Sequence, residues 1–119
     1  MSAPQMSGRK AVSLITATIP AGSALSNSID LTNGAVNYVI APSNWDDANV
    51  SFQVSYDSIA FYDLFDASGF ELVRELVPGS AVAINPALTA AAMHLRIRSG
   101  TRVAPVNQAA DSTFILVLA

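Results

Sequence analysis

The chain has 119 residues, of which 51% are hydrophobic and 13% are charged, and it carries a net charge of −3 without any cysteine. That length fits one domain, and the apolar fraction excludes a disordered chain, because so much buried surface can offset the conformational entropy lost on folding. The negative charge argues against nucleic acid as the main ligand, and the lack of cysteine excludes disulfides and thiolate metal sites.

The first ten residues predict an arm ahead of the folded domain. Residues 1–10 contain serine, glycine and proline together with the cations Arg9 and Lys10. Because this segment has little apolar surface to bury, we expect a flexible arm that orders only on contact with a partner. No apolar run follows the cations and none approaches the roughly 20 residues that cross a bilayer, so we expect neither a signal peptide nor a membrane span.

From residue 11 onward, turn signals recur about every 8–12 residues, the spacing typical of a β-sandwich or barrel. Residues 50–56 and 93–98 alternate most clearly between apolar and polar side chains, as a half-buried strand does. The other predicted strands are residues 12–19, 29–31, 36–41, 61–65, 71–77, 81–84 and 113–118.

Two of these strands have a predictable place in a sheet. Residues 29–31 are short enough to form an edge strand, and residues 113–118 are apolar on both faces. The second pattern indicates a central strand or a strand with one face covered by a partner. Only residues 86–92 have helical propensity, enough for one or two turns. The sequence therefore predicts a single all-β domain, residues 11–119, built as an antiparallel two-sheet sandwich of jelly-roll type with eight or nine short strands.

Catalytic and metal-binding motifs are absent from the sequence. The only histidine, His94, lies on the polar side of a predicted strand, and no G-x-S-x-G motif is present. Zinc would need three or four ligands from cysteine, histidine or carboxylates. We expect a protein that is not an enzyme and that binds neither metal nor cofactor.

Seven of the nine acidic residues lie between positions 46 and 75. Asp63 and Asp66, followed by Gly69, only weakly resemble a calcium loop, and residues 44–47 lack the glycine that such a loop uses. We interpret these carboxylates as surface groups in turns.

Cations are concentrated near the end of the chain, where Arg96, Arg98 and Arg102 lie close together. These arginines could meet the acidic segment across strands of one subunit, or between subunits where opposite charges fix orientation. The sequence leaves both arrangements open. With Arg9 and Lys10, the three arginines are candidate contacts with a partner, and the sparse charge of the chain favours association because neutral surface is cheaply desolvated.

Trp45, the only tryptophan, lies in a predicted turn. It could stack on a sugar ring, or it could fold back over one end of the core. Capping of the core is favoured, because the other aromatic residues lie mainly in predicted strands, whereas sugar-binding modules present several aromatics at loop tips.

Seven segments together carry a resemblance to a known group of proteins. They are IPAG at 19–22, SNSIDL at 26–31, IAPSNW at 40–45, VSFQVSYD at 50–57, FYDLFD at 61–66, LRIRSGT at 95–101 and PVNQ at 105–108. In this order they resemble small virion proteins of tailed bacteriophages and related prophage or gene-transfer particles. One departure is Asp57-Ser58, where an Asp-Gly turn would be expected.

The resemblance implies a non-enzymatic structural protein that decorates or cements the phage capsid. Its implied partners are the major capsid protein or other virion proteins, and it implies a homo-oligomer, for which a trimer is one candidate. The implied location is the virion, assembled in the host bacterial cytoplasm. The alternative that the residues leave open is a carbohydrate- or receptor-binding module of a tail or head fibre. No functional residue is carried over from the resemblance.

Overall fold

The computed structural model describes residues 11–46 and 48–119. The predicted arm, with Arg9 and Lys10, lies outside the described residues. The described residues contain nine strands in chain order: β1 Ser13–Ile19, β2 Ile29–Asp30, β3 Val36–Ile40, β4 Asn49–Ser55, β5 Tyr62–Asp63, β6 Val73–Glu75, β7 Ala81–Ala83, β8 His94–Ser99 and β9 Ser112–Leu118.

The strands form two antiparallel sheets. The first sheet has the order β1-β9-β3-β7, and the second has the order β2-β8-β4-β5, with β6 also paired to β4. The chain crosses between the sheets at most connections. The predicted fold class, an all-β antiparallel two-sheet sandwich of eight or nine short strands, is therefore confirmed. β9 is central, as the apolar character of both its faces indicated, and β2 is an edge strand, as its length indicated.

The core lies between the two sheets and takes alternate residues from each strand. From the first sheet it receives Ile19, Val39, Phe114, Leu116 and Leu118, and from the second Val50, Phe52, Leu95 and Ile97, all buried. Because side chains of a strand alternate between its faces, burying one set of each strand exposes the other set on the outer face of its sheet.

Residues 61–65 and 71–77 were predicted as two full strands, and the structure shortens both. Of these residues, only Tyr62–Asp63 and Val73–Glu75 form strands. Tyr62–Asp63 pairs with the second half of β4, and Val73–Glu75 pairs with its first half. The residues between them leave the sheet in a turn. In this turn the Asp66 amide donates a hydrogen bond to the Phe70 carbonyl at 2.8 Å. The Asp66 carboxylate stabilises that turn by accepting from the Ser68 and Phe70 amides, at 2.9 and 3.1 Å.

The helical element predicted at residues 86–92 is shorter than expected. Residues 86–92 were expected to form one or two turns, and only Pro86–Leu88 forms a 3-10 turn, capped by the Asn85 side chain, which accepts from the Ala87 amide at 3.1 Å. A run of small residues buries too little surface to extend it. Among the described residues, no helix has the length and hydropathy to cross a membrane.

Candidate functional site

Trp45 lies at one end of the core. Its side chain is 4% exposed, its ring meets Phe114 edge to face with centroids 5.0 Å apart, and its indole N–H donates to the Ala48 carbonyl at 2.9 Å. This is the position that the core-capping interpretation describes. A sugar has no access to the ring, so Trp45 is not part of the candidate site.

Arg98 is buried in an ion-pair network on the outer face of the second sheet. Its guanidinium donates to Ser51 Oγ at 2.9 Å, to Asp63 Oδ1 at 2.7 Å and to Glu71 Oε2 at 2.9 Å. The Arg98 hydrogen bond holds the pKa of the Asp63 carboxyl below its ordinary value. Glu71 Oε2 also accepts the Arg102 amide at 2.8 Å. Here the acidic segment meets the basic segment within one subunit, the first of the two arrangements that the sequence left open.

The other two arginines of this group contact aromatic rings. The Arg96 guanidinium carbon lies 3.8 Å from the centroid of the Phe61 ring, and that of Arg102 lies 5.4 Å from the centroid of Phe65. Such cation–π contacts order long side chains at a surface. The structure thus brings Arg96, Arg98 and Arg102 onto one region of the second sheet, where each has an intramolecular partner.

The segment between β4 and β6 exposes four aromatic rings, and the sequence prediction had placed all of them except Phe70 in strands. Tyr56, Tyr62, Phe65 and Phe70 are 61, 59, 41 and 71% exposed. Only Tyr62 belongs to a strand, because β5 has just two residues. The expectation that aromatic residues lie mainly in strands is wrong for this segment.

His94 and the carboxylates do not assemble a reactive site. His94 lies at the start of β8, on the face that carries Arg96 and Arg98. The described residues contain no group of three histidine or carboxylate side chains placed to hold a metal ion. Asp63 and Asp66, from the weak calcium-like pattern, instead serve the Arg98 network and the 66–70 turn.

A cleft of about 450 Å³ lies between the 66–68 turn and residues 83–88, with Arg74 in its wall. Arg74 donates to the Ala83 carbonyl at 2.9 Å, which ties the two sides together. The only hydroxyl in the lining is that of Ser68, and the lining includes no histidine that could act as its base. The cleft therefore offers no nucleophile–base pair, and the absence of enzymatic activity stays a prediction.

The most unusual surface is the outer face of the first sheet, here called the neutral face. Its side chains align in three rows, set by the strand register: Leu14, Val117, Tyr38 and Ala83; Thr16, Ile115, Ile40 and Ala81; Thr18 and Thr113. All ten residues are uncharged, and indeed no residue of β1, β3, β7 or β9 carries a charge. Leu14, Tyr38 and Ile115 are 67, 47 and 36% exposed.

The size of the neutral face suits protein contact. Four strands about 4.8 Å apart and rows about 6.8 Å apart cover on the order of 400 Å². Contiguous apolar patches of this size on a soluble protein often mark a binding surface. A flat face of aliphatic and threonine side chains presents neither a pocket for a small molecule nor a charge for an ionic ligand, so its best-fitting ligand is another protein surface.

Sequence reasoning did not find the neutral face, although one signal for it was visible. Residues 113–118 are apolar on both sides, which suggested a strand covered by a partner on one face. What the sequence could not show is that the three other uncharged strands lie beside this one in the same sheet.

Comparison with known proteins adds information about the fold. No family model and no curated protein matches the chain. Among solved structures, the chain is similar to the crystal structure of SPBc2 prophage-derived protein YomS, with a TM-score of 0.53 and 8% sequence identity. The match covers 92% of this chain and 96% of that one. At this identity the likeness establishes a shared fold.

Proposed function

We propose that the chain is a non-enzymatic structural protein of a phage or prophage particle, and that it decorates or cements the capsid through protein–protein contacts. The observation that carries the proposal is the neutral face, an exposed four-stranded surface without a single charge. The fold shared with a prophage-derived protein and the resemblance of the seven segments to virion proteins support the phage context.

The physical role follows from the area of the face. At about 400 Å² it is half of the roughly 800 Å² that each partner contributes to a standard stable interface. One such contact is weak, but a particle surface repeats it many times. Stable binding then requires copies joined to one another as an oligomer, whose avidity exceeds the affinity of each contact. Because these copies bind the assembled particle and not its separate subunits, they stabilise the particle by mass action.

The partners in this proposal are the major capsid protein or other virion proteins, and the location is the virion. The experiment compares particles that lack the chain with the same particles after the purified chain is added back, using co-sedimentation to measure binding and heat release of the genome to measure stability. We expect saturable binding and a higher release temperature. A chain that does not sediment with particles contradicts the proposal.

Two variants locate the contact. Ile115→Asp places a charge at the centre of the neutral face, in a row formed by β1, β9, β3 and β7. Tyr62→Asp makes a comparable change at an exposed residue of the second sheet. Ile115→Asp should weaken particle binding by at least about tenfold, since a buried unpaired charge costs well over 1.4 kcal/mol, while Tyr62→Asp should bind like the unmodified chain. Equal loss in both variants, or in neither, contradicts a role for this face.

A second candidate is a carbohydrate- or receptor-binding module, favoured by the exposed rings between β4 and β6. Tyr62 and Phe70 offer stacking surfaces at 59 and 71% exposure. A glycan array tests this candidate, with Tyr62→Ala and Phe70→Ala as the variants that should lose any signal. An array without signal removes it.

A further inference from the structure

The free edge of β1 is long and lacks the features that usually keep an edge strand from pairing. Among the described residues, β1 ends the first sheet and pairs only with β9. Its seven residues include no charge and no proline, whereas natural edges are protected by charges, prolines, bulges or short length. Each of the other edge strands among the described residues is only two or three residues long.

One end of β1 shows which main-chain groups face outward. The Thr18 amide donates to Asn27 Oδ1 at 2.8 Å, and the Thr18 carbonyl accepts from the Asn27 amide at 3.3 Å. The main-chain groups of Thr18 therefore point away from β9. Because this direction alternates along an antiparallel strand, those of Leu14 and Thr16 point the same way. Asn27 covers the edge at Thr18, and within residues 11–46 and 48–119 no main-chain partner covers the edge at Leu14 and Thr16.

We infer that β1 pairs antiparallel with β1 of a second copy of this chain, across a two-fold axis beside Leu14. In this register Leu14 lies opposite Leu14 of the second copy, and Val12 lies opposite Thr16. The pairing uses the outward main-chain groups of both strands. It ends before Thr18, whose main chain is already bonded to Asn27. It also covers Leu14 and Val12, whose side chains are 67 and 50% exposed.

Charge favours a second copy as the occupant of this edge. The chain carries a net charge of −3, so two copies repel each other wherever their acidic surfaces meet. All charged residues that the structure describes lie outside the four strands of the first sheet. Contact at β1 is therefore an approach in which two copies of this acidic chain meet without bringing described charges of the same sign together. In an antiparallel pair of identical strands, a two-fold axis relates the two copies and each uses the same surface. The contact therefore forms a closed dimer.

Pairing at β1 also enlarges the neutral face. Two four-stranded sheets become one eight-stranded sheet, and the uncharged surface grows to on the order of 800 Å², the size that one partner contributes to a standard interface. The inference stands on the edge itself and does not depend on the proposed virion role.

The test measures the mass of the full chain by analytical ultracentrifugation up to about 1 mM, together with amide hydrogen exchange. We expect a dimer whose Leu14 and Thr16 amides gain protection as the concentration rises. Leu14→Lys brings two like charges together at the axis and should raise the dimer Kd by at least about tenfold. Thr16→Pro removes an outward amide that β9 does not use, and it should have the same effect.

Ala83→Lys is the matched control, because Ala83 lies in the same row as Leu14 at the opposite edge of the sheet. This variant should dimerise like the unmodified chain. A monomer at all concentrations overturns the inference, as does a dimer that Leu14→Lys leaves intact. Protection of Leu14 and Thr16 that is independent of concentration also overturns it, since another segment of the same chain then covers the edge.

Discussion

Trp45 packs edge to face against Phe114, with ring centroids 5.0 Å apart and ring planes inclined by 66°. Phe114 belongs to the central strand of the first sheet, whereas Trp45 belongs to the loop between β3 and β4, which connects the two sheets. The pair therefore fixes a crossover loop onto the core, and the indole N–H contributes a further hydrogen bond within that loop.

Replacement of Trp45 by alanine should destabilise the chain by about 3–5 kcal/mol, because it leaves a cavity where a buried aromatic residue packed. Trp45→Phe should cost less, since it retains part of the ring contact, although it loses the hydrogen bond to the Ala48 carbonyl and some of the buried ring. Urea unfolding followed by circular dichroism measures both values. Equal stability of Trp45→Ala and the unmodified chain would contradict the packing role.

Arg98→Ala should cost on the order of 3 kcal/mol, because it leaves Asp63 and Glu71 beside each other without their shared cation. Arg96→Ala is the control from the same strand face. Arg96 only stacks on Phe61, so its loss should cost about 1 kcal/mol or less. Urea midpoints of the two variants give the comparison, and the prediction fails if Arg96→Ala is the more destabilising change.

The Arg98–Asp63 pair should make stability depend on acid pH. Its hydrogen bond lowers the pKa of Asp63 in the folded state, whereas the unfolded value is about 3.9. The stabilisation is therefore fully present above the unfolded pKa and is lost as the pH falls through the folded pKa. In Asp63→Asn, urea midpoints measured from neutral to acid pH should fall less steeply than in the unmodified chain. An unchanged slope would show that another group controls acid unfolding.

Gly100→Ala should be far more damaging than Gly22→Ala, although both glycines have positive φ, +86° and +80°. A Cβ at Gly22 meets no atom within 4 Å, so alanine there costs about 1–2 kcal/mol for the backbone conformation alone. At Gly100 it collides with the Ala104 carbonyl oxygen and lies 2.8 Å from the Val106 amide nitrogen. We expect at least about twice the loss in unfolding free energy at Gly100. Similar values for the two variants would contradict this reading of the turn.

The turn at Gly100 also explains how two of the resembling segments meet. The Val106 amide donates to the Ser99 carbonyl at 2.9 Å, and the Gln108 side chain donates to Ser99 Oγ at 2.8 Å. The segments 95–101 and 105–108 are thus joined to each other inside the fold. Their pattern reflects a structural requirement of this turn.

By itself, the sequence determined the fold class and most of the strands, because alternation of apolar and polar residues is a local property that each strand carries alone. It also indicated that residues 113–118 form a central strand and that Trp45 caps the core. It erred at residues 61–65 and 71–77, where turn hydrogen bonds made by Asp66 interrupt what the composition suggests are full strands.

Only the tertiary structure decided which strands are neighbours. β1 pairs with β9 from the other end of the chain, and β3 and β7 complete the same sheet. Such pairings depend on packing over the whole chain, so no local pattern reports them. They gather four uncharged strands into the neutral face, and among the described strands they leave one edge of β1 unpaired. They also bury Arg98 between Asp63 and Glu71. The sequence had made Arg98 a candidate contact with a partner protein, whereas the structure uses it within the fold.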